Sequence, residues 1–178
     1  MDREWQETFR NRMRGFEARR APQPGEAAVS IKVRVASGCF HREHSPRAYE
    51  LIDRSLAIAK LSGSDGSFGF EEHESGPEIL VYLAVTTAGL SLAKSIVDLI
   101  TAIIKARSEG IKKGDSPSDP LELIVRRVHN VQEFREETVL RVGHKDAVDE
   151  AKVERQLKDA LRKLLKDEPS TRTPRKKH

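Results

Sequence analysis

Residues 75–107 read SGPEILVYLAVTTAGLSLAKSIVDLITAIIKAR, the most apolar stretch of the chain, and their conformation decides the fold. Ser75 and Glu78 have the spacing of a capping box, in which the hydroxyl and the carboxylate satisfy each other's backbone N–H groups. The stretch is therefore expected to open a long helix at Glu78 that runs to about Arg107. Thr87, Ser91, Lys94, Asp98, Thr101 and Lys105 recur at three- and four-residue steps. That makes a narrow polar stripe on a helix otherwise apolar round more than half its circumference. Such a helix is wetted along one line and covered on both flanks, by its own domain or also by an oligomeric or protein partner. A membrane span fits less well. The uninterrupted apolar run from Ile79 to Ala93 is about 15 residues, against the roughly 20 that cross a bilayer. Extending it draws Lys94 and Asp98 into hydrocarbon at about 2.5–3.5 kcal/mol each.

Working outward, Val29, Ile31, Val33 and Val35 alternate with Ser30, Lys32 and Arg34, the period of a half-buried strand. A helix over 46–61 follows, with Ser45 as cap, Pro46 in its first turn, and Leu51, Ile52, Leu56 and Ala59 on one face. SGSDGS at 62–67 stops it, and FGFEE forms a short strand. Beyond the apolar helix, GIKKGDSPSDP is read as an exposed loop. LELIVRRV and ETVLRV are read as an antiparallel strand pair joined by HNVQEFRE. A last helix over 147–166, capped by Asp146, places Val153, Leu157, Leu161, Leu164 and Leu165 on one side. The order is β-α-β-α-β-β-α. It implies an α+β fold, a small mixed four-stranded sheet with helices packed on one face.

The chain has 178 residues, enough for one domain with tails; 37% are hydrophobic and 34% charged. Its net charge of +4 is matched by four basic residues among the last ten, PSTRTPRKKH, so the body is neutral. Expected divisions are a basic amphipathic helix at 1–20, a linker at 21–26 (APQPGE), the α+β domain at 27–167 and a disordered basic tail at 168–178. One cysteine excludes an internal disulfide and fits a reducing compartment. With no secretory signal at the start, a cytoplasmic, bacterial-type location is expected. Nucleic acid could be met only through the basic termini, since no recognition motif supports it.

Little catalytic chemistry is spelled out. There is no G-x-S-x-G and no G-K-[ST] phosphate loop. The segment SGCFHREHSP, residues 37–46, brings Cys39, His41 and His44 close in sequence, with His73 as a candidate fourth ligand beside Glu71, Glu72 and Glu74. Zinc wants four such ligands in a structural site, or three and a water in a catalytic one. A nucleophilic Cys39 would need a base such as His41, His44, His129 or His144. With no second ligand pair in the chain, the segment is read first as a strand-to-helix loop, with no metal or cofactor implied. The alternative is a metal- or thiol-dependent enzyme centred on Cys39, His41 and His44; a further one is a membrane-associated protein using residues 78–107.

At the N-terminus, Trp5, Phe9, Met13 and Phe16 form one stripe among six arginines. This helix can dock on its own domain or a twin chain, bind a protein partner, or lie on a membrane surface. In layout, the stretches SIKVRVA, the apolar run from Gly76 to Arg107, LELIVRR, ETVLRV and VERQLKDALRKLL resemble the effector-associated constant component family of bacterial conflict systems. The resemblance implies a non-enzymatic adaptor or accessory module for an effector and carries over no site residues. The chain is thus expected to be no enzyme but a protein–protein interaction module. It would act through a protein partner or self-association, with Trp5, Phe9, Met13 and Phe16 as its contacts.

Overall fold

The stretch that decides the fold makes two kinds of structure. In a computed structural model that describes residues 26–61, 68–86, 89–90, 92–116, 119–128 and 134–166, strand β1 spans Glu26–Val35, helix α1 Pro46–Leu61, and strand β2 Phe68–His73. The first half of the apolar run is strand β3, Gly76–Thr86, with the short β4, Gly89–Leu90, paired to it. Only the second half is helical: α2, Lys94–Lys112. Then come β5, Leu121–Val128, β6, Phe134–Val142, and α3, Glu150–Lys166.

The expected mixed four-stranded sheet and the helix from 78 to 107 are therefore corrected. The sheet is antiparallel, in the order β2-β3-β1-β5-β6, with β4 beside β3. The cause lies in residues 79–86, which are rich in β-branched and aromatic types that suit a pleated surface. Ile79, Leu80, Val81 and Leu83 are all buried, so the strand is covered on both faces and loses the alternation that would mark it. The capping-box spacing at Ser75 and Glu78 is a coincidence of a hairpin. His73 pairs with Gly76 across a turn made by Glu74 and Ser75. Gly76 is required there: its φ is +137°, and a Cβ would stand 1.9 Å from the Val33 carbonyl oxygen.

β1 lies at the centre, with Ile31 opposite Ile79 on one side and Val125 on the other. Its Val29, Ile31, Val33 and Val35 join Val81, Leu123 and their neighbours in one cluster with the apolar faces of all three helices. Ile96, Ile100, Ile103 and Ile104 of α2 and Val153, Leu157, Leu161 and Leu164 of α3 are buried in it.

Two caps differ from expectation. The N-terminal amides of α1 are satisfied by Asp115, in the segment expected to be an exposed loop. Arg47 N–H donates to Oδ1 at 3.2 Å and Ala48 N–H to Oδ2 at 2.9 Å, a role expected of Ser45. At α3, the Ala151 N–H bonds Asp149 Oδ1 at 3.0 Å, while Asp146 instead accepts from Gly143 N–H at 2.7 Å. Among the described residues, no helix is long and apolar enough to cross a membrane. The expected helix at 1–20, the tail at 168–178 and the candidate contacts Trp5, Phe9, Met13 and Phe16 lie outside the described residues, as does His129. Glu26, assigned to the linker, begins β1.

Candidate metal centre

Residues 36–45 connect β1 to α1, as the sequence implies, and three anchors shape the connection. Ala36 N–H bonds the Pro120 carbonyl at 2.8 Å, and Phe40 N–H bonds the Glu74 carbonyl at 2.8 Å. The Phe40 side chain is fully buried and meets Tyr49 edge-on, with ring centroids 5.6 Å apart. The Tyr49 hydroxyl donates to the Phe40 carbonyl at 3.1 Å, and burial raises its pKa well above the usual phenol range. With Phe40 pointing inward, its neighbours turn outward. A tight turn closes on the His41 carbonyl, which accepts from His44 N–H at 3.2 Å and Ser45 N–H at 2.9 Å.

That turn folds His44 back over His41. Their rings are 4.4 Å apart, tilted by 49°. Cys39 joins them: the thiol sulfur and one nitrogen from each imidazole all lie within 4.8 Å of one another. Cys39 and His41 are half-buried and His44 is exposed. The expectation that the chain is no enzyme is corrected by this cluster, which provides a donor set suited to metal binding and to catalysis. A tetrahedral zinc ion with bonds of about 2.0–2.3 Å sets its ligand atoms roughly 3.3–3.6 Å apart. Ligation thus needs the side chains to close by about an ångström, a rotamer adjustment within one loop. The Glu43 N–H donates to His41 Nδ1 at 3.3 Å and so engages that nitrogen's lone pair; a cation would displace this long bond or take Nε2 after a change of tautomer.

His73, the proposed fourth ligand, does not join the three. It lies 3.3 Å from Glu78 and 3.9 Å from Glu71 on the sheet. It does line, with Gly38, Cys39, Glu74 and Ser75, an open cavity of about 360 Å³ beside the cysteine. His144 does not join the three either; its carbonyl accepts from the Ser108 hydroxyl.

The residue that sequence reasoning passed over is Arg42, between the two histidines. Its guanidinium grips Asp53 of α1 through two bonds of 2.7 Å, and Glu72 of β2 through Nε at 2.9 Å and Nη2 at 2.6 Å. It also lies 4.9 Å from the centre of the Tyr49 ring. The bonds to Asp53 and then Glu72 raise its pKa further above the usual range, and Arg42 in turn holds the Asp53 carboxyl below the carboxylate range. The side chain is half exposed, so the clamp contributes geometry more than stability. Nothing in the spacing of Arg42, Asp53 and Glu72 announces it.

No protein-family model matches the chain, and neither the curated proteins nor the solved structures contain a match to it.

Proposed function

We propose that the chain is a metal-dependent enzyme whose cation, zinc by the chemistry of its ligands, is held by the Cys39 thiolate and the imidazoles of His41 and His44. The observation that supports this is the approach of those three donor atoms to within 4.8 Å of one another. A soft thiolate with two imidazoles selects zinc over calcium or magnesium. Three protein ligands leave a coordination position open, the arrangement of catalytic rather than structural zinc. Such a cation polarises a bound carbonyl or lowers the pKa of a bound water towards neutrality. The cavity beside Cys39 gives a substrate room, and Glu74 and His73 on its wall are proton acceptors within the same site. Arg42 holds the two histidines on one turn by tying it to α1 and β2. The reaction class this favours is metal-assisted hydrolysis or addition to a polarised carbonyl.

The test is a titration of the metal-free full chain with zinc against a chromophoric chelator. One equivalent should bind, and Cys39→Ser and His44→Ala should each weaken binding by at least about tenfold. Failure to compete with the chelator, or affinity unchanged in both variants, overturns the reading.

A further inference from the structure

The second face of the sheet is covered by something other than the three helices. At its centre, Ser30 and Lys32 of β1 stand beside Glu78 and Leu80 of β3 and Ile124 and Arg126 of β5. Their exposures are 0%, 1%, 2%, 2%, 0% and 2%. A lysine and an arginine on an open sheet face would keep their charged heads in water. The helices do not account for this burial. Their buried apolar side chains gather in the single cluster on the other face, and that cluster includes neither Leu80 nor Ile124. Among the described residues, no element is left to lie over this patch.

The patch is polar and internally paired. Glu78 faces two cations, Arg126 Nη1 at 3.4 Å and Lys32 Nζ at 3.8 Å, and the imidazole of His73 at 3.3 Å. Arg126 also reaches Glu136 at 2.6 Å. Leu80 and Ile124 sit among these charges as its apolar floor. A cover must therefore bring apolar side chains to the middle and charge to the margin.

We propose that residues 1–20 of the same chain are that cover, an amphipathic helix laid across the second face of the sheet with Trp5, Phe9, Met13 and Phe16 against Leu80 and Ile124. Three features select this segment. First, it enters the fold at the right place, since only residues 21–25 separate it from the start of the central strand at Glu26. Five residues reach about 17 Å when extended. A 20-residue helix is about 30 Å long, and five strands spaced about 4.8 Å apart are roughly 19 Å across, so it spans the sheet. Second, its stripe at positions 5, 9, 13 and 16 is one helix face, the shape of an apolar ridge flanked by charge. Third, the charges are compatible: on the face Glu71, Glu78, Glu122 and Glu136 balance Lys32, Arg34, Arg126 and Arg141, and the segment's six arginines with Asp2, Glu4, Glu7 and Glu17 supply both signs beside its apolar stripe. The short tether holds the segment at millimolar effective concentration, which favours its own sheet over that of a second copy. The stripe then belongs to the domain's core layers rather than to a free arm, and the inference is independent of the metal reading.

Trp5 is the only tryptophan, so its fluorescence reports on this contact alone. In the full chain its emission should be blue-shifted, and acrylamide should quench it several-fold less than in the same chain unfolded by urea. Both properties should hold over a hundredfold dilution. Leu80→Asp on the sheet and Phe9→Asp on the segment should each move the emission to the red. Phe9→Asp also leaves the sheet's own sequence intact, so a red shift with retained circular dichroism isolates release of the segment. A Trp5 that is fully quenchable in the wild-type chain overturns the proposal. So does a blue shift that disappears on dilution along with a dimeric mass, which would assign the cover to a second copy.

Discussion

Alanine in place of glycine inside a helix ordinarily stabilises by about 1 kcal/mol; at Gly110, in the last turn of α2, the opposite sign is expected. A Cβ there would stand 2.3 Å from Asp115 Oδ2 and 2.9 Å from both the Cβ and the backbone nitrogen of Ala48. The aspartate tip cannot swing away without giving up its bonds to the Arg47 and Ala48 amides, and the Ala48 backbone belongs to α1. Losing the cap costs about 0.5–2 kcal/mol. Forcing α1 and α2 apart costs about 1–3 kcal/mol more. With the propensity gain offsetting about 1 kcal/mol, Gly110→Ala should destabilise by about 2 kcal/mol. For a domain of this size that lowers Tm by roughly 4–8 °C. Thermal unfolding followed by circular dichroism reads the shift. Asp115→Ala made in the Gly110→Ala background should then cost clearly less than in the wild type, because the cap is already lost. A Tm that is unchanged or raised in Gly110→Ala would mean that α1 and α2 do not meet as described here.

Burial alone would raise the Glu78 carboxyl, but the hydrogen bond from His73 and the charges of Arg126 and Lys32 hold it down at about 2. A depressed folded-state pKa contributes stability above the unfolded value of about 4.3 and loses it as pH falls through about 2. Urea unfolding between those limits should thus lose about 3 kcal/mol; Glu78→Gln should flatten that dependence, and an unaltered slope in the variant would contradict the assignment. Arg42→Lys keeps the charge but loses the planar forks to Asp53 and Glu72. Stability should fall by less than about 1 kcal/mol, whereas zinc affinity should fall by about tenfold to a hundredfold. Equal zinc titrations of the two proteins would remove Arg42 from the site.

Local patterns predicted the elements whose surroundings are simple. β1 keeps its alternation because its partly polar second face still carries Ser30, Lys32 and Arg34. The bounds of α1 follow from Pro46 at one end and the glycine- and serine-rich stretch after Leu61 at the other. Residues 76–90 defeated the same reasoning because a strand buried on both faces and a buried helix share one texture. The deciding feature, Gly76 against the Val33 carbonyl, lies in the register of two strands 43 positions apart, from Val33 to Gly76. Asp115 was equally hidden, since the amides it caps are 67 and 68 residues away. At the candidate site the spacing of Cys39, His41 and His44 was visible, but their convergence depends on Phe40 turning inward and on the turn closed by the His41 carbonyl. The first is anchored by the hairpin, whose Glu74 carbonyl accepts from Phe40 N–H.

Cobalt is the most direct probe of the proposed centre, because its spectrum reports both ligand type and geometry. One equivalent of Co²⁺ added to the metal-free full chain should give intense visible bands of tetrahedral cobalt and a near-ultraviolet thiolate charge-transfer band. Cys39→Ser should abolish the charge-transfer band, and zinc should displace both features. A spectrum that remains that of the hydrated ion, or a charge-transfer band that survives Cys39→Ser, would contradict a metal centre at Cys39, His41 and His44.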